Sequence, residues 1–255
     1  MTELSLFITC ASKCEVPSPW QTAENETPQR IYYIIKGKGS ASFDNGVVTP
    51  LEKGKLYLFP SNLRPTFYSD ENDKIYHIFF DFYTAPPIIS SSPLVHQVTE
   101  NSPLKKQLNF AETFLTKDID NLRNIKKIHS APSGSKEEKM QIKYYLLKMI
   151  LLLLSSENEI PFINDQVISD SIKYIHKNYS KNITVSDLAK MAGFDKDHYT
   201  RRFKKVMRTT PHAYLRDYRI TLAQSLIKNG VTVAKAAEMV GYQHPISLYN
   251  ILEKR

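Results

Sequence analysis

Cysteine is scarce in this sequence, since the 255 residues include only two, Cys10 and Cys14. Two cysteines four positions apart cannot build a disulfide framework or, by themselves, a metal cluster. Their scarcity fits a protein that folds in a reducing compartment.

Long apolar segments are also missing. The longest apolar run, Tyr144 to Leu154, contains Lys148 and falls well short of the ~20 residues that span a bilayer. The N-terminus carries Glu3 and no basic run ahead of an apolar stretch, so no secretory signal is predicted. We therefore expect a soluble, cytoplasmic protein with no membrane partner.

Signatures of catalysis are missing as well. No nucleophile with a base, no Gly-rich phosphate loop and no paired-carboxylate motif stands out in the sequence. His77, His96 and His129 lie far apart, and no close His pair with a following Glu offers the ligands of a metal-dependent enzyme. We expect no catalytic residue, no metal and no cofactor, and hence no enzyme.

Positive charge, by contrast, is abundant and unevenly distributed. Residues 1 to 160 contain 18 Lys/Arg and 18 Asp/Glu, whereas residues 161 to 255 contain 16 Lys/Arg and 8 Asp/Glu, so the last third carries the whole net charge of +8. A solvated basic surface explains the sign of this charge but not its segregation. The segregation predicts a polyanionic partner, because phosphate attraction supplies most non-specific affinity for nucleic acids.

The stretch from Asn182 to Lys205 has the pattern of a helix-turn-helix. Thr184 and Asp187 stand three apart, as in the reciprocal cap that starts a helix, and Gly193 suits the left-handed turn that ends it. Asp195 then caps a second helix. The apolar face of this helix carries Tyr199, Phe203 and Val206, and its opposite face carries Lys196, Thr200, Arg201, Lys204 and Lys205. A helix that is aromatic inward and cationic outward suits a DNA major groove.

The same pattern returns 48 residues later. Ile183-Thr184-Val185 recurs as Val231-Thr232-Val233, Ala189 as Ala237, and Gly193-Phe194 as Gly241-Tyr242. Two units in register support the interpretation far better than one. The alternative is a helical bundle whose periodic apolar residues only fill a core.

A single helix is predicted between the two units, from Pro211 to Lys228. Thr210 is its expected cap, Pro211 suits its first turn, and Gly230 closes it. The helix would be on the order of 27 Å long. Such a rod suits two readers on successive major-groove faces, which lie roughly 34 Å apart.

Residues 30 to 82 have the texture of β structure. Short runs rich in aromatic and β-branched residues alternate with turn signals, and Asn45-Gly46 is the strongest hairpin signal among them. The runs are Ile31 to Ile35, Ser40 to Phe43, Leu56 to Phe59 and Ile75 to Phe82. Short strands at this spacing predict a small antiparallel barrel or sandwich.

Helices are predicted after the strands. Ser102 caps a helix with Leu104, Leu108, Ala111 and Leu115 on one face. The stretch from Ala131 to Ser135 predicts a loop. Lys136 to Ser156 predicts a long helix that is apolar almost all round in its second half, so that it must be covered on more than one side, by the strands and by a partner chain or by the chain's own core.

Two segments of this sequence resemble the AraC/XylS family of bacterial transcription regulators. Residues 32 to 65 and 76 to 82 resemble the cupin-type effector-binding barrel of that family, and the repeat resembles its paired helix-turn-helix domain. The matching elements of the repeat are Leu188-Ala189, Ala192-Gly193-Phe194, Arg201, Phe203-Lys204, Pro211, Tyr214-Leu215, Arg219-Ile220, Ala223 and Gly241-Tyr242.

The resemblance implies a two-domain α+β protein: a cupin-like antiparallel β-barrel with flanking helices, then an all-α double helix-turn-helix. Residues 1–100 would form the barrel and residues 101–156 helices that pair two subunits in a homodimer. Residues 157–165 would form the linker and residues 166–255 the DNA-binding domain. The implied function is regulation of transcription, with activation favoured, through promoter DNA and a small-molecule effector or partner, and RNA polymerase is a further candidate partner.

The first reading helix supplies most of the predicted DNA contacts. Arg201 is the main candidate, because a guanidinium binds guanine O6 and N7 bidentately. The resemblance adds Lys196, Asp197 and Thr200 as base-reading positions. Arg202, Lys204 and Lys205 are predicted to contact phosphates, which fix register without reading sequence, although a solvated charge is an equal alternative for Lys205.

The second reading helix departs from the family pattern. Asn250, Leu252 and Glu253 stand where the family usually has Arg, Phe and Lys, and Arg208 replaces the usual loop Gly of the first unit. Asn250 suits adenine and Tyr249 a thymine methyl. We expect the first half-site to dominate the affinity.

The effector pocket is harder to define. Trp20, Arg30, Tyr32 and His77 are the candidate lining residues, with Arg30 holding a carboxylate or a sugar hydroxyl, although aromatic side chains in small barrels more often form the core. Two rival functions stay open on the sequence alone, namely a cupin-type enzyme with a helical appendage and a DNA-binding protein that senses no ligand.

Overall fold

The structure is a computed structural model that describes residues 5–16, 28–115, 136–228 and 230–253. Trp20, a candidate effector contact, and the loop predicted at Ala131 to Ser135 lie outside the described residues.

Antiparallel strands dominate the N-terminal half of the described chain. They are β1 (Ser5–Glu15), β2 (Gln29–Lys36), β3 (Gly39–Ser42), β4 (Val48–Leu51), β5 (Lys55–Phe59), β6 (Thr66–Ser69), β7 (Tyr76–Ala85) and β8 (Leu94–Gln97). The four predicted runs match β2, β3, β5 and β7. The predicted hairpin at Asn45-Gly46 is confirmed, because Gly46 has a φ of 79° and β3 pairs with β4 from Gly39↔Leu51 to Ser42↔Val48.

The strands form two facing sheets. The larger has the order β1-β7-β2-β5-β8 and the smaller the order β4-β3-β6. Aromatic and aliphatic residues of both sheets, among them Tyr32, Tyr57, Phe59, Phe67 and Phe79, fill the space between them. The predicted β domain is thus a sandwich in this structure.

The two cysteines lie on β1 as free thiols, and burial raises the pKa of Cys14 to about 12.

Two helices cover the outer face of the large sheet. They are α1 (Pro103–Phe114) and α2 (Lys136–Glu157). Ser102 caps α1 as predicted, its hydroxyl accepting a hydrogen bond from the Lys105 amide at 3.1 Å. Leu104 and Leu108 of α1 and Leu147 and Ile150 of α2 are buried in one cluster with Phe80 of the sheet, which removes the apolar surface of all three elements from water.

The C-terminal half of the described chain is helical. It contains α3 (Gln166–Asn178), α4 (Val185–Met191), α5 (Lys196–Met207), α6 (Pro211–Lys228), α7 (Val233–Met239) and α8 (Pro245–Glu253). The predicted connector is therefore confirmed as α6, and Thr210 accepts a hydrogen bond from the Ala213 amide at 3.2 Å. The predicted limits of the domains stay a prediction. Before α3, residues 161–163 pair with residues 87–89 through Ile89 N–H to Pro161 O at 2.8 Å and Ile163 N–H to Pro87 O at 2.9 Å.

The sandwich contacts the helical half through Tyr83 of β7, which is 1% exposed. Its ring meets Tyr218 of α6 edge-on at 4.8 Å between centroids and His176 of α3 at 5.8 Å. Its hydroxyl lies 3.5 Å from Thr221 Oγ1. Aromatic pairs in this geometry stabilise a contact beyond the area that they bury, so Tyr83 fixes α3 and α6 against the sandwich.

His77 makes the stability of the sandwich depend on pH. Its ring lies 4.8 Å from that of Tyr32, and burial lowers the pKa of His77 to about 3. The unfolded chain takes up this proton near pH 6.5, so stability falls as the pH falls from about 6.5 towards 3. His77 alone should account for a loss of up to about 2 kcal/mol between pH 7 and pH 5.

We expect His77→Gln to shrink the difference in free energy of unfolding between pH 7 and pH 5, measured by urea titration. His176, whose pKa burial also lowers to about 3, contributes in the same window, so part of the difference should remain. His212→Gln, at an exposed position on α6, is the control and should keep the wild-type pH dependence. An unchanged pH dependence in His77→Gln would contradict the prediction.

Candidate nucleic-acid interface

The first helix-turn-helix unit is built by the caps that the sequence predicts. Asp187 N–H donates to Thr184 Oγ1 at 3.1 Å, while Thr184 N–H donates to Asp187 Oδ2 at 3.0 Å. Hydrogen bonds from Thr184 lower the pKa of Asp187, so the carboxylate is charged at the positive end of α4. Asp195 then caps α5 by accepting from the His198 amide at 2.8 Å. These caps fix where the reading helix begins.

Helix α5 has one buried and one exposed face. Tyr199, Phe203 and Met207 are buried, and Phe203 packs edge-on against Tyr214 of α6 at 5.8 Å. Val206, predicted for the apolar face, is only half-buried. The residues predicted to read bases lie on the other side: Lys196, Asp197 and Arg201 are exposed, and Thr200 is half-buried with its hydroxyl donating to the Lys196 carbonyl at 2.7 Å.

The second half of α5 and its C-cap carry a cluster of cationic side chains. Arg201, Lys204, Lys205 and Arg208 line a surface depression of about 330 Å³. Arg208 has a φ of 57° and forms the left-handed C-cap of α5, a position that glycine usually fills. We call these four residues the basic cluster. Arg208 is a candidate phosphate contact that the sequence shows only as a departure from the family pattern.

Arg202 has a different partner from the one predicted. Its guanidinium donates to both carboxylate oxygens of Asp165, from Nε at 2.9 Å and from Nη2 at 3.1 Å, and it lies over the Phe194 ring at 5.4 Å. Asp165 also caps α3 by accepting from the Ile168 amide. The pair ties α5 to the start of α3 and engages the guanidinium that the sequence predicts to contact a phosphate.

The second unit repeats the first with one difference in length. Thr232 caps α7 as Thr184 caps α4, but α8 begins four residues after Gly241, whereas α5 begins three residues after Gly193. The offset between the units therefore changes from 48 to 49 residues in the turn. Buried Leu248 then corresponds to Tyr199, and exposed Asn250 corresponds to Arg201.

The turn of the second unit rests on the first unit. A Cβ at Gly241, which has a φ of 90°, would collide with the backbone of Ser180. Arg219 of α6 holds the same segment, donating to the carbonyls of Tyr179 and Lys181, both at 2.7 Å. Because these contacts join α3, α6 and the second turn, the two units form one packed body.

Three of the predicted effector residues, Arg30, Tyr32 and His77, lie inside the sandwich. Tyr32 and His77 are 3% exposed and belong to its aromatic core. Arg30 is 5% exposed, and its Nε lies 3.4 Å from Asp81 Oδ1 on the neighbouring strand. The structure thus brings Tyr32 and His77 together and places Arg30 on the same strand as Tyr32, two residues away. Their role in binding an effector stays a prediction.

Two features are missing from the described residues. No helix among them is long and apolar enough to cross a membrane. Across the same residues, no three His, Cys, Asp or Glu side chains are grouped so as to hold a metal ion.

Comparison with known proteins identifies the helical half. Residues 188–255 match the model of a helix-turn-helix domain. The chain is 33% identical over 79 residues to a putative AraC-like transcription regulator of Streptomyces lividans, covering 31% of this chain and 26% of that protein. The C-terminal part of the chain is an AraC-type helix-turn-helix domain.

Other comparisons extend beyond the AraC-type domain. The lactose operon transcription activator of Staphylococcus xylosus is 28% identical over 137 residues, which are 51% of this chain and 49% of that protein. The chain thus spans half or less of the length of these two relatives. The structure of ToxT from Vibrio cholerae with a bound unsaturated fatty acid matches 100% of this chain and 92% of its own, with a TM-score of 0.57 at 11% identity. That likeness shows a shared two-domain fold.

Proposed function

We propose that this protein is a sequence-specific DNA-binding transcription regulator, with activation favoured. The observation that carries the proposal is the pair of packed helix-turn-helix units, of which the first exposes the basic cluster beside its base-reading positions. An activator among the relatives, that of the lactose operon in Staphylococcus xylosus, favours activation. RNA polymerase is a further proposed partner, and no residue of the protein has a proposed catalytic role.

The residues outside the buried face of α5 fall into two groups with different proposed contacts. Arg201, with Lys196, Asp197 and Thr200, reads base edges in the major groove. Lys204, Lys205 and Arg208 neutralise phosphates, so that binding weakens steeply with salt. Helix α8 enters the next groove with Tyr249 and Asn250, and α6 sets the distance between the two readers.

Substitutions test this division on duplexes selected from a random library, with affinity measured by fluorescence anisotropy over a series of salt concentrations. We expect Arg201→Ala to lower affinity about tenfold or more and to relax one base preference. Asn250→Ala should cost less, because α8 contributes less affinity. Equal losses for the two variants would contradict this asymmetry, and the absence of any salt-sensitive binding by the folded protein would contradict the function.

Arg202→Ala is the matched control for Arg201→Ala. It removes the same charge from the next residue, but from a side chain that Asp165 holds. We expect it to lower the thermal stability of the domain while the salt dependence of DNA binding stays close to that of the wild type.

The sandwich is the proposed sensor of a small molecule. In support, a ToxT structure of the same fold holds an unsaturated fatty acid, and Arg30 offers a buried cation beside the aromatic core. Strand β7 links this region to the reader. Its alternate residues His77 and Phe79 line the core, Asp81 meets Arg30, and Tyr83 contacts α3 and α6. A ligand that engages Arg30 would thereby act on the contact that holds the DNA-binding domain, and the coupling would be reciprocal.

Tyr83→Ala tests this link. Truncating a buried aromatic residue costs on the order of 3 kcal/mol, which weakens the contact of α6 with the sandwich and leaves the contact of Phe7 with Tyr218. Since the contact restrains the rod that joins both readers, we expect DNA affinity without effector to rise severalfold. Tyr83→Phe keeps the ring and should bind like the wild type. An unchanged affinity in Tyr83→Ala, with circular dichroism showing intact helices, would contradict the link.

A second copy of the chain is the proposed partner of α2. The inner face of this helix is buried in the core with Leu147, Ile150 and Leu154. On another side Tyr145, Met149 and Leu152 are 63%, 41% and 59% exposed, at the spacing i, i+4 and i+7 that aligns side chains along a helix. A large exposed apolar stripe of this kind is typical of an interaction surface.

Leu152→Glu should therefore convert a dimer into a monomer, as measured by light scattering with size-exclusion chromatography. Tyr68→Glu is the matched control, because Tyr68 is 57% exposed on β6 of the other sheet. It introduces the same charge at an apolar site and should leave the dimer intact. A wild-type protein that is monomeric at micromolar concentration would contradict the proposed pairing.

A further inference from the structure

The second reading helix is chemically unlike the first. With the offset of 49 residues, Ile246 of α8 occupies the place of Asp197 in α5, Tyr249 that of Thr200, and Asn250 that of Arg201. The segment Pro245–Glu253 contains no Lys or Arg. An apolar side chain thus stands where the first reader has a carboxylate, and an amide stands where it has a guanidinium.

Ile246 is 61% exposed, although it is large and apolar. The helix buries Leu248 instead, with Ile251 and Leu252 packed against the core of the domain. Ile246 and Asn250 are four residues apart, so both side chains lie on the same face, one turn from each other. The exposed side chain of Ile246 is therefore open to contact by a ligand of α8.

Tyr249 lies next to this pair. It is 47% exposed and stays available as the further contact of α8. Ile246 and Asn250 are both exposed in the first two turns of α8, the end of a reading helix that contacts base edges.

We propose that α8 reads an A·T-containing half-site, with Ile246 against the C5-methyl group of a thymine and Asn250 bound to an adenine. This inference rests on the proposed function and specifies what the second reader recognises. An amide pairs bidentately with adenine N6 and N7, and the thymine methyl is the apolar group that the major groove offers. Guanine, in contrast, is bound by Arg or Lys, which α8 lacks.

The two readers would then select bases of different kinds. Arg201 favours guanine in the half-site of α5, whereas α8 favours adenine and thymine in the other half-site. Because Gly241 and Arg219 fix the second unit on the first, the A·T contact should lie at a constant distance from the guanine. The operator is therefore expected to be asymmetric rather than a repeat of one half-site.

Replacement of thymine by deoxyuridine tests the methyl contact, since it deletes only the C5-methyl group. Duplexes selected by the wild-type protein would be resynthesised with one uracil at a time, and affinity would be measured for the wild type and for Ile246→Ala. Burial of one methyl group corresponds to about a fourfold effect. We expect one uracil position to weaken the wild type by about fourfold and to leave Ile246→Ala unaffected.

Arg201→Ala serves as the comparison. It should bind more weakly overall yet keep the uracil effect, because the two contacts belong to different half-sites and act independently. Since Ile246 is mostly exposed, alanine should not disturb the fold, and circular dichroism would check this.

The outcomes separate the inference from the proposed function. If no uracil replacement weakens the wild type, or if Ile246→Ala keeps the full uracil effect, the reading by Ile246 is wrong while DNA binding stands. If the selected sequences place an invariant G·C pair under α8, the proposed base class is wrong. If no duplex is bound in a salt-sensitive way, the proposed function itself fails.

Discussion

Strand β7 contributes side chains to each of the three apolar cores that the described residues form. Its side chains alternate between two faces, as in any strand. Ile78, Phe80 and Phe82 pack under α1 and α2. Phe79 belongs to the core between the sheets. Tyr83 reaches beyond the sandwich into the core of the helical half. The ten residues of β7, whose side chains alternate between its two faces, therefore contribute to three cores. A displacement of β7 would affect each core.

This arrangement makes an ordinary packing contact suitable for regulation. Well-packed interiors transmit small displacements because they have few voids in which to absorb them. Asp81 sits on β7 between Phe79 and Tyr83, and its partner Arg30 lies on the adjacent strand. Any change in the Arg30–Asp81 pair is thus made two residues from the side chain that holds α3 and α6. In the proposed coupling, a change at Arg30 would reach Tyr83 across one strand repeat of β7, and no hinge is needed.

The sequence predicted the features that depend on residues close together in the chain. Caps such as Thr184 with Asp187, the turn at Asn45-Gly46 and the limits of α6 were all confirmed, because each depends on residues only a few positions apart. Strand β1 was missed, since its mixed sequence around Cys10 and Cys14 has no clear alternation and its pairing partner is β7, far along the chain. Strands β6 and β8 were also missed, because each has four residues and pairs with a strand that is not its neighbour in sequence.

In the candidate site, too, the features set by nearby residues were predictable and those set by tertiary packing were not. The exposed face of α5 followed from helical periodicity alone. The ion pair of Arg202 did not, because Asp165 lies 37 residues earlier and only tertiary packing brings the two together. The extra residue in the second turn was implied by the family pattern, which sets Asn250 in the place of Arg, although the repeat of 48 holds up to Tyr242. The exposure of Ile246 is a tertiary property that the structure shows.

The asymmetry of the two readers has a physical consequence for recognition. A reader without cations gains little from phosphates and would bind duplex DNA weakly by itself. Here α6 and the contact of Gly241 with Ser180 hold it beside a cationic reader. Once α5 is bound, the second reader meets its bases at a high effective concentration and has little further entropy to lose. Under that condition, the proposed contacts of Ile246 with a thymine methyl and of Asn250 with an adenine would be sufficient to discriminate between DNA sites. In the proposed function, the first unit supplies affinity and orientation, and the second adds base discrimination without adding much salt dependence.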